Sequence, residues 1–455
     1  MSQGKRVCAL VLCTGISVGY AISAGGLAAA EGELYVGWAA ADITPPKPVA
    51  LVGQLQKRLS QSVHDPLTAT ALALETRGAD GAKEQAIAIS CDLVGICKAT
   101  QDRVQESVKK KLADFDSRKL FLNGTHTHTG PGQADSTFGA LYDVSKDPGA
   151  MGASEYADFL VPRLADAAAR AWQGRQRGGM SWALGQAVVG HNRRATYFDG
   201  KAAMYGDTRG ENFDSIEGYE DHGVEMLLFW DEKRELTGMV LNVTCPSQET
   251  ENAMYVSADF WHEVRQELKK RYSDKLFVLA QCGPSGDQSP HLLVRQRAEE
   301  LMLKRKGISR RQEIAVRVAR AVDEVMPYAK QDIQTRPVFK HAVPTISLPT
   351  KQPPAKMFYE VDSVQPMEFH VLRLGDVALA TNPFEMYLDY GVRMKTRSKA
   401  VLTMVVNISG AMCGYLPTAK AARGGGYSAD NYLVGPEGGQ VLVNETVKQI
   451  NQMFQ

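Results

Sequence analysis

Two histidines, His126 and His128, stand in the stretch "LNGTHTHTGPG", which is otherwise Thr, Gly and Pro with Leu122 and Asn123 at its start. Residues i and i+2 of an extended segment project to the same side, so both imidazoles would reach one ion or one substrate. Imidazole serves as a metal ligand or as a general base, and the flanking glycines and proline would set the loop while leaving room for a ligand. The plain alternative is a turn with two partly exposed imidazoles. Three further clusters carry chemistry: Cys245, the loop "GPSGDQSP" with Ser289, and Glu385. Each follows an apolar run directly, as the histidines do. Together they read as one site assembled from loops on the same side of a sheet. Taken singly, Ser289 is also an ordinary turn residue before Pro290, and Glu385 a helix-start carboxylate favoured by the dipole.

The elements that must position these groups are legible as alternating strands and helices. "ALALETRG" and "EQAIAISCDLVGI" read as neighbouring buried strands, and "SRKLFLNG" as a third that ends where the histidines begin. "SEYADFLVPRLADAAARAW" reads as a helix despite Pro162, "VEMLLFWDEKRELTGMVLNVTC" as a hairpin, "ADFWHEVRQELKKRY" as an amphipathic helix and "KLFVLAQC" as a strand. Ser309 and Gln312 form a capping box before a helix whose apolar residues Ile314, Val318, Val322 and Val325 recur at helical spacing. "FHVLRLGDVALATNPFEMYLDYGVRMK" predicts a strand, a Gly-Asp turn, a second strand and a helix opening near Glu385. The expected fold class is α/β: mixed β-sheets flanked by helices, with the active site on loops at strand ends. No internal repeat is visible.

Lys+Arg number 52 against Asp+Glu 51, which excludes a global pull toward nucleic acid or an anionic membrane. The start differs in character. Lys5 and Arg6 precede "VCALVLCTGISVGYAI" and then small residues, the pattern of a signal peptide over residues 1–30 with cleavage after Ala30. The apolar run is short for a span, so an exported chain with no transmembrane segment in its mature form is expected. Such a chain keeps Cys91, Cys97, Cys245, Cys282 and Cys413, an odd count without close-set pairs and therefore no disulfide framework. The sequons at Asn123, Asn242, Asn407 and Asn444 leave glycosylation open.

"GTHTHTGPG" resembles the signature G-T-H-T-H-S-G-P-G of the neutral/alkaline non-lysosomal ceramidases, zinc amidases. The resemblance extends in order through "VGWAAADITPP", "AISCDLVGI", "HNRR", "GDQSP", "NPFEMYLDYGVRMK" and "CGYLPT". It implies that His126 binds zinc, that His128 assists catalysis, and that Glu385 and Tyr415 complete the metal set. Arg193, with Arg194 as the close alternative, matches the arginine that helps set up the active site, and Ser289 the active-site serine. No nucleophile-elbow pattern surrounds Ser289, which argues against its attacking substrate.

One departure stands out. The family's second zinc histidine is replaced by Cys245, with the spacing to Ser257 kept. Cysteine binds zinc as the thiolate, so Cys245 is the expected ligand. The alternatives are that His262 or His222 supplies the imidazole, or that Cys245 is a buried structural thiol and metal binding is lost. The family's additional C-terminal immunoglobulin-like domain is not expected here, which leaves a single catalytic domain over residues 31–455.

The implied function is an exported Zn²⁺-dependent hydrolase that cleaves an amide (N-acyl) bond of a small-molecule or lipid-like substrate through a metal-activated water. The loss of a domain and of a ligand makes ceramide itself a doubtful substrate. Two alternatives remain: a hydrolase or lyase acting on a sugar or other small polar molecule, for which Trp261, Tyr427 and Tyr432 would provide stacking, and a metal-free, non-catalytic binding protein.

Overall fold

Alternate residues of a strand face opposite sides, and in most of these strands both sides are apolar. Ala69, Ala71 and Ala73 point into one cluster while Leu72 and Leu74 point into another, and Ile87 and Ile89 oppose Ala86 and Ala88 in the same way. Strands of this kind must be covered on both faces. A computed structural model shows how, describing residues 30–79, 81, 83–135, 139–351, 361–362 and 365–455. The expected leader lies outside the described residues except for Ala30, which pairs with Phe339.

Eight strands form one mixed sheet: β1 (Glu33–Asp42), β2 (Thr68–Arg77), β3 (Lys83–Cys91), β4 (Leu120–Gly124), β5 (Gln176–Gln186), β6 (Gly223–Asp231), β7 (Leu236–Val243) and β8 (Phe277–Cys282). Their order is β8-β7-β6-β5-β1-β2-β3-β4. Only β3–β4 and β7–β8 are parallel, and each of these crossovers contains a helix, α1 (Lys98–Lys111) and α3 (Phe260–Arg271). A second helix follows each half, α2 (Ala153–Gln173) after β4 and, beyond α4 (Gln296–Lys306), α5 (Arg310–Ala329) after β8. The chain therefore builds the same unit twice, three antiparallel strands, a helix, a parallel strand and a covering helix. The halves join through β1 and β5 only at Tyr35–Arg177 and Val36–Gln176. Across the far edges, the Asn123 side-chain amide donates to the Ala280 carbonyl at 3.3 Å.

The helices cover one face of this sheet. The other face packs on a second sheet containing β9 (Val338–Ala342), β10 (Val371–Leu374), β11 (Val377–Thr381) and β12 (Leu402–Val406), with Phe121, Phe229, Leu372 and Met404 between the two. Helices α6 (Leu388–Arg397) and α7 (Pro436–Met453) close the outer face, giving an α-β-β-α layering. The expected α/β class with mixed sheets is what is found.

Two readings change. The helix expected near Glu385 opens at Leu388, and Glu385–Met386 is a short strand paired in parallel with Tyr415–Leu416. Asn123, Asn242 and Asn407 are buried, which removes them as glycan acceptors, whereas Asn444 is exposed. All five described cysteines, Cys91, Cys97, Cys245, Cys282 and Cys413, are buried, and Cys91, Cys245, Cys282 and Cys413 are free thiols. No helix among the described residues is long and apolar enough to cross a membrane.

Candidate active site

The threonines of the opening motif explain why its histidines face outward together. Thr125 donates to Asp92 at 3.3 Å, and the hydroxyls of Thr127 and Thr129 both donate to the Ser257 carbonyl, at 2.8 and 2.9 Å. The alternate residues His126 and His128 are thereby turned to the other side, with ring centroids 4.9 Å apart. His126 adopts the left-handed region, φ 67°, a conformation uncommon for a non-glycine residue that accumulates at functional sites. Its amide donates to Leu93 at 2.9 Å, and Nδ1 lies 2.6 Å from the Val94 carbonyl. A carbonyl partner places the proton on Nδ1 and leaves Nε2 as an acceptor. Nε2 faces Glu385 Oε2 at 3.4 Å.

Two acceptors facing one another call for a cation between them, either a proton or a metal ion. The Tyr415 hydroxyl hydrogen-bonds the Glu385 carboxylate, so three donor groups meet here. Burial pushes the Glu385 carboxyl up, but His126, Tyr415 and Arg193 outweigh it and hold the group below its ordinary range.

These side chains line a cavity of about 320 Å³ together with Gly53, Leu55, Val94, His128, Arg193, Tyr205, Glu251, Met412 and Tyr427. Arg193 donates to Tyr205 at 3.1 Å, to the Gly286 carbonyl at 3.0 Å and to Tyr415 at 3.4 Å. Arg194 instead pairs with Glu217 at 2.9 Å and donates to the carbonyls of Ala421 and Gly425, so of the two it is Arg193 that reaches the cavity. Ser289 stands behind Tyr205, whose hydroxyl donates to it at 3.0 Å, and accepts from Gln248 and from the His291 amide. Through Tyr205 it acts on the cavity at one remove.

His128 lies against Gly53, which has φ 106°, and a Cβ there would sit 2.5 Å from the imidazole Cγ. Both ring nitrogens are buried without a hydrogen-bond partner. Glu251 approaches the ring, with Oε2 3.6 Å from Nδ1 and Oε1 3.5 Å from His291 Nε2. Burial first, and then the charges on His126, Arg193, Arg58 and His291, hold the His128 pKa well below the usual histidine value.

Glu251, Tyr205 and Arg58 were not anticipated. Arg58 donates to the His128 carbonyl at 2.6 Å and to Ala253 at 2.8 Å, tying the histidine loop to the loop that carries Glu251. That second loop is pinned by Asp259, which accepts from the amide and the hydroxyl of Thr250, each at 2.7 Å. The one local signal was the charged cluster "SQETEN" between an apolar strand and a helix cap.

Cys245 is placed differently from the other expected ligands. It is fully buried in the apolar cluster with Phe260, Trp261 and Val264, its thiol donates to the Pro246 carbonyl at 3.4 Å, and it is not among the residues lining the cavity. Burial, reinforced by Cys282, pushes its pKa well above the ordinary thiol value, so it stays a thiol at neutral pH. His262 faces Asp65 and His222 faces Glu220, and neither lines the cavity. Among the described residues no group of three or more His, Cys, Asp or Glu side chains stands together so as to hold a metal ion. The donor set that fits a cation is His126, Glu385 and the phenol of Tyr415. Trp261 is buried in the core, Tyr432 lies beside Lys351, and Tyr427 meets Tyr415 edge-on at 5.8 Å at the cavity wall. A cavity of about 730 Å³ lined by Val52, Pro131, Asp135, Tyr142 and Met151 has no histidine or cysteine among its described lining residues.

No family model and no curated relative matches the sequence. Solved structures do match. Neutral ceramidase from Pseudomonas aeruginosa superposes with a TM-score of 0.70 at 17% identity, over 92% of this chain and 74% of that one. The chain has the fold of the neutral ceramidases. A structure described as ceramidase complexed with C2 matches with a TM-score of 0.69 at 16% identity, over 93% of this chain and 76% of the other. The ceramidase-like architecture is thus shared across nearly all of this chain, at an identity too low to carry residue roles with it.

Proposed function

We propose that the protein is an exported amide hydrolase that cleaves an N-acyl bond with the help of a bound Zn²⁺. The observation that carries the reading is the approach of His126 Nε2 to Glu385 Oε2 at 3.4 Å, with Tyr415 on the same carboxylate and the cavity open beside them. Export rests on the charged, apolar and small-residue pattern of residues 1–30. His126, Glu385 and Tyr415 would hold the ion, with the Val94 carbonyl fixing the tautomer of His126 as an outer partner. When bound, zinc supplies Lewis acidity for the acyl carbonyl and a water of lowered pKa.

The chain's own groups do the rest. His128, neutral at physiological pH, takes a proton from the attacking water and returns it to the leaving amine. Glu251 orients it at Nδ1. The Arg193 guanidinium meets the carbonyl oxygen as it gains charge, in a site shielded from solvent where such contacts count most, and Tyr205, which accepts from Arg193 and donates to Ser289, helps to position it. Ser289 and Gln248 hold Tyr205. Leu55, Val94 and Met412 form the apolar wall for the acyl group, and about 320 Å³ lies at the small end for ligand cavities, which favours a short acyl chain.

The test is elemental analysis of purified full-length protein, paired with hydrolysis of short N-acyl amides by wild type and His126→Ala. One zinc per chain, lost together with activity in His126→Ala, supports the reading. A metal-free protein that turns over no amide refutes it and favours a binding protein, as the buried Cys245 thiol would suggest.

A further inference from the structure

A second cavity of about 960 Å³ adjoins the first and shares Tyr205, Glu251 and Asn252 with it, so those three form a sill between two lobes. The outer lobe is otherwise lined by Gly206–Arg209, Phe213 and His291–Arg297. Its charges are unequal. Asp207 accepts from Arg209 at 3.4 Å, and Glu251 lies on the sill 3.5 Å from His291 Nε2, so that Arg209, Arg295 and Arg297 stand against Asp207 and Glu251. The ion pairs of Glu299 go to Arg310 and Arg317, and no carboxylate among the described residues takes Arg295 or Arg297. These two arginines open α4, whose first turn has no side-chain cap, so the dipole's positive end falls at the same wall. Backbone strain marks the place as well: Tyr205 on the sill has φ 50° and Arg295 has φ 67°. Non-glycine residues hold such conformations where surrounding structure imposes them, and they concentrate at ligand sites.

We propose that the outer lobe receives an anionic group carried on the amine side of the substrate, so that the scissile amide lies across the sill with its acyl group inward. The substrate class is then an N-acyl conjugate of an amine bearing a carboxylate or a phosphate. The small inner cavity takes the acyl part, and Arg295 and Arg297 pair with the anion, bidentately where geometry allows. This assignment of substrate rests on the proposed hydrolysis, while binding of the anion does not.

Two measurements separate them. Binding of inorganic phosphate and of N-acetylglycine to full-length protein is followed by calorimetry in wild type and in the Arg295→Gln/Arg297→Gln double variant, at low and at physiological salt. Wild type is expected to bind at least one of the two, at least tenfold more tightly than the double variant, with affinity falling as salt rises; which anion binds better identifies the source. In turnover, kcat/KM for an N-acyl amino acid is expected to exceed that for its carboxamide analogue at least tenfold, and the double variant should bring the ratio near one. Anion binding without any turnover upholds the lobe and removes the hydrolase reading. Equal affinity in wild type and double variant, or a wild-type preference for the uncharged analogue, overturns the proposal.

Discussion

Replacing Gly53 with alanine tests whether His128 works where the structure puts it. The added Cβ would lie 2.5 Å from Cγ, 2.7 Å from Nδ1 and 2.9 Å from Cδ2 of the imidazole. Relieving those contacts to an ordinary carbon separation of ~3.5 Å moves the ring by about 1 Å. A displacement of that size at a reacting group costs about 100-fold in rate. Alanine at φ 106° also strains the backbone by roughly 1–2 kcal/mol, which lowers stability without touching the chemistry. Gly200 supplies the control, because its φ is 83° and a Cβ there meets nothing within 4 Å. Gly200→Ala should lose stability and keep its activity, whereas Gly53→Ala should lose stability and about two orders of magnitude in kcat. Steady-state kinetics on one short N-acyl amide, with thermal melts of both variants, provides the comparison. If Gly53→Ala loses no more activity than Gly200→Ala, then either His128 is not the proton carrier or Gly53 does not support it.

Glu251→Gln keeps the size of the side chain but removes the charge facing His128 Nδ1 at 3.6 Å, and kcat should fall about 10- to 100-fold with KM little changed; unaltered kcat would leave Glu251 without a positioning role. Cys245→Ser should leave the zinc content intact, because the thiol does not line the cavity, while the buried hydroxyl lowers stability by about 1–3 kcal/mol; loss of metal in this variant would restore Cys245 to the ligand set. The buried pair His341–His370, 3.0 Å apart between the two sheets, should make the fold acid-sensitive. Burial pushes His370 down to about 3, so below the unfolded value the unfolded chain takes up a proton that the folded one refuses. This contribution is fully present above pH ~6.5 and is lost as pH falls from there toward 3, with a slope of up to about 1.4 kcal/mol per pH unit. Urea titrations between pH 6.5 and 5 measure it, and a slope unchanged in His370→Gln would refute the assignment.

Local signals proved readable where local chemistry decides the element. The Ser309–Gln312 capping box forms as the spacing requires, both of its hydrogen bonds being present. The apolar runs that became β2, β3, β7 and β8 are continuous because each is covered on both faces. The duplication of the strand-helix unit was invisible, since the two halves share a packing order rather than a residue pattern. Glu385 was misread as opening a helix for a related reason. Its two-residue strand exists only because Tyr415 and Leu416 run beside it, and the apolar spacing of the following residues belongs to a helix that starts at Leu388.

The site divides along the same line. The alternation in "THTHT" is enough to separate threonines that anchor from histidines that project, because period-two geometry is local. Nothing local distinguishes Glu251 from a solvated carboxylate, or Tyr205 from a surface aromatic, since their roles come from Arg58 and Asp259 holding separate loops against one another. Cys245 shows the converse. The resemblance to the ceramidase motifs implies a ligand there, yet its side chain lies in the apolar cluster and does not line the cavity. Spacing along a chain records where a backbone passes, whereas ligation depends on reach, and a thiol is shorter than an imidazole by most of a ring. With that reach lost, the positive charge of any ion held by His126, Glu385 and Tyr415 is balanced by Glu385 alone unless the phenol ionises. A more electropositive ion acidifies water more strongly, so a cysteine at position 245, outside the cavity, is compatible with the proposed chemistry when His126, Glu385 and Tyr415 hold the metal.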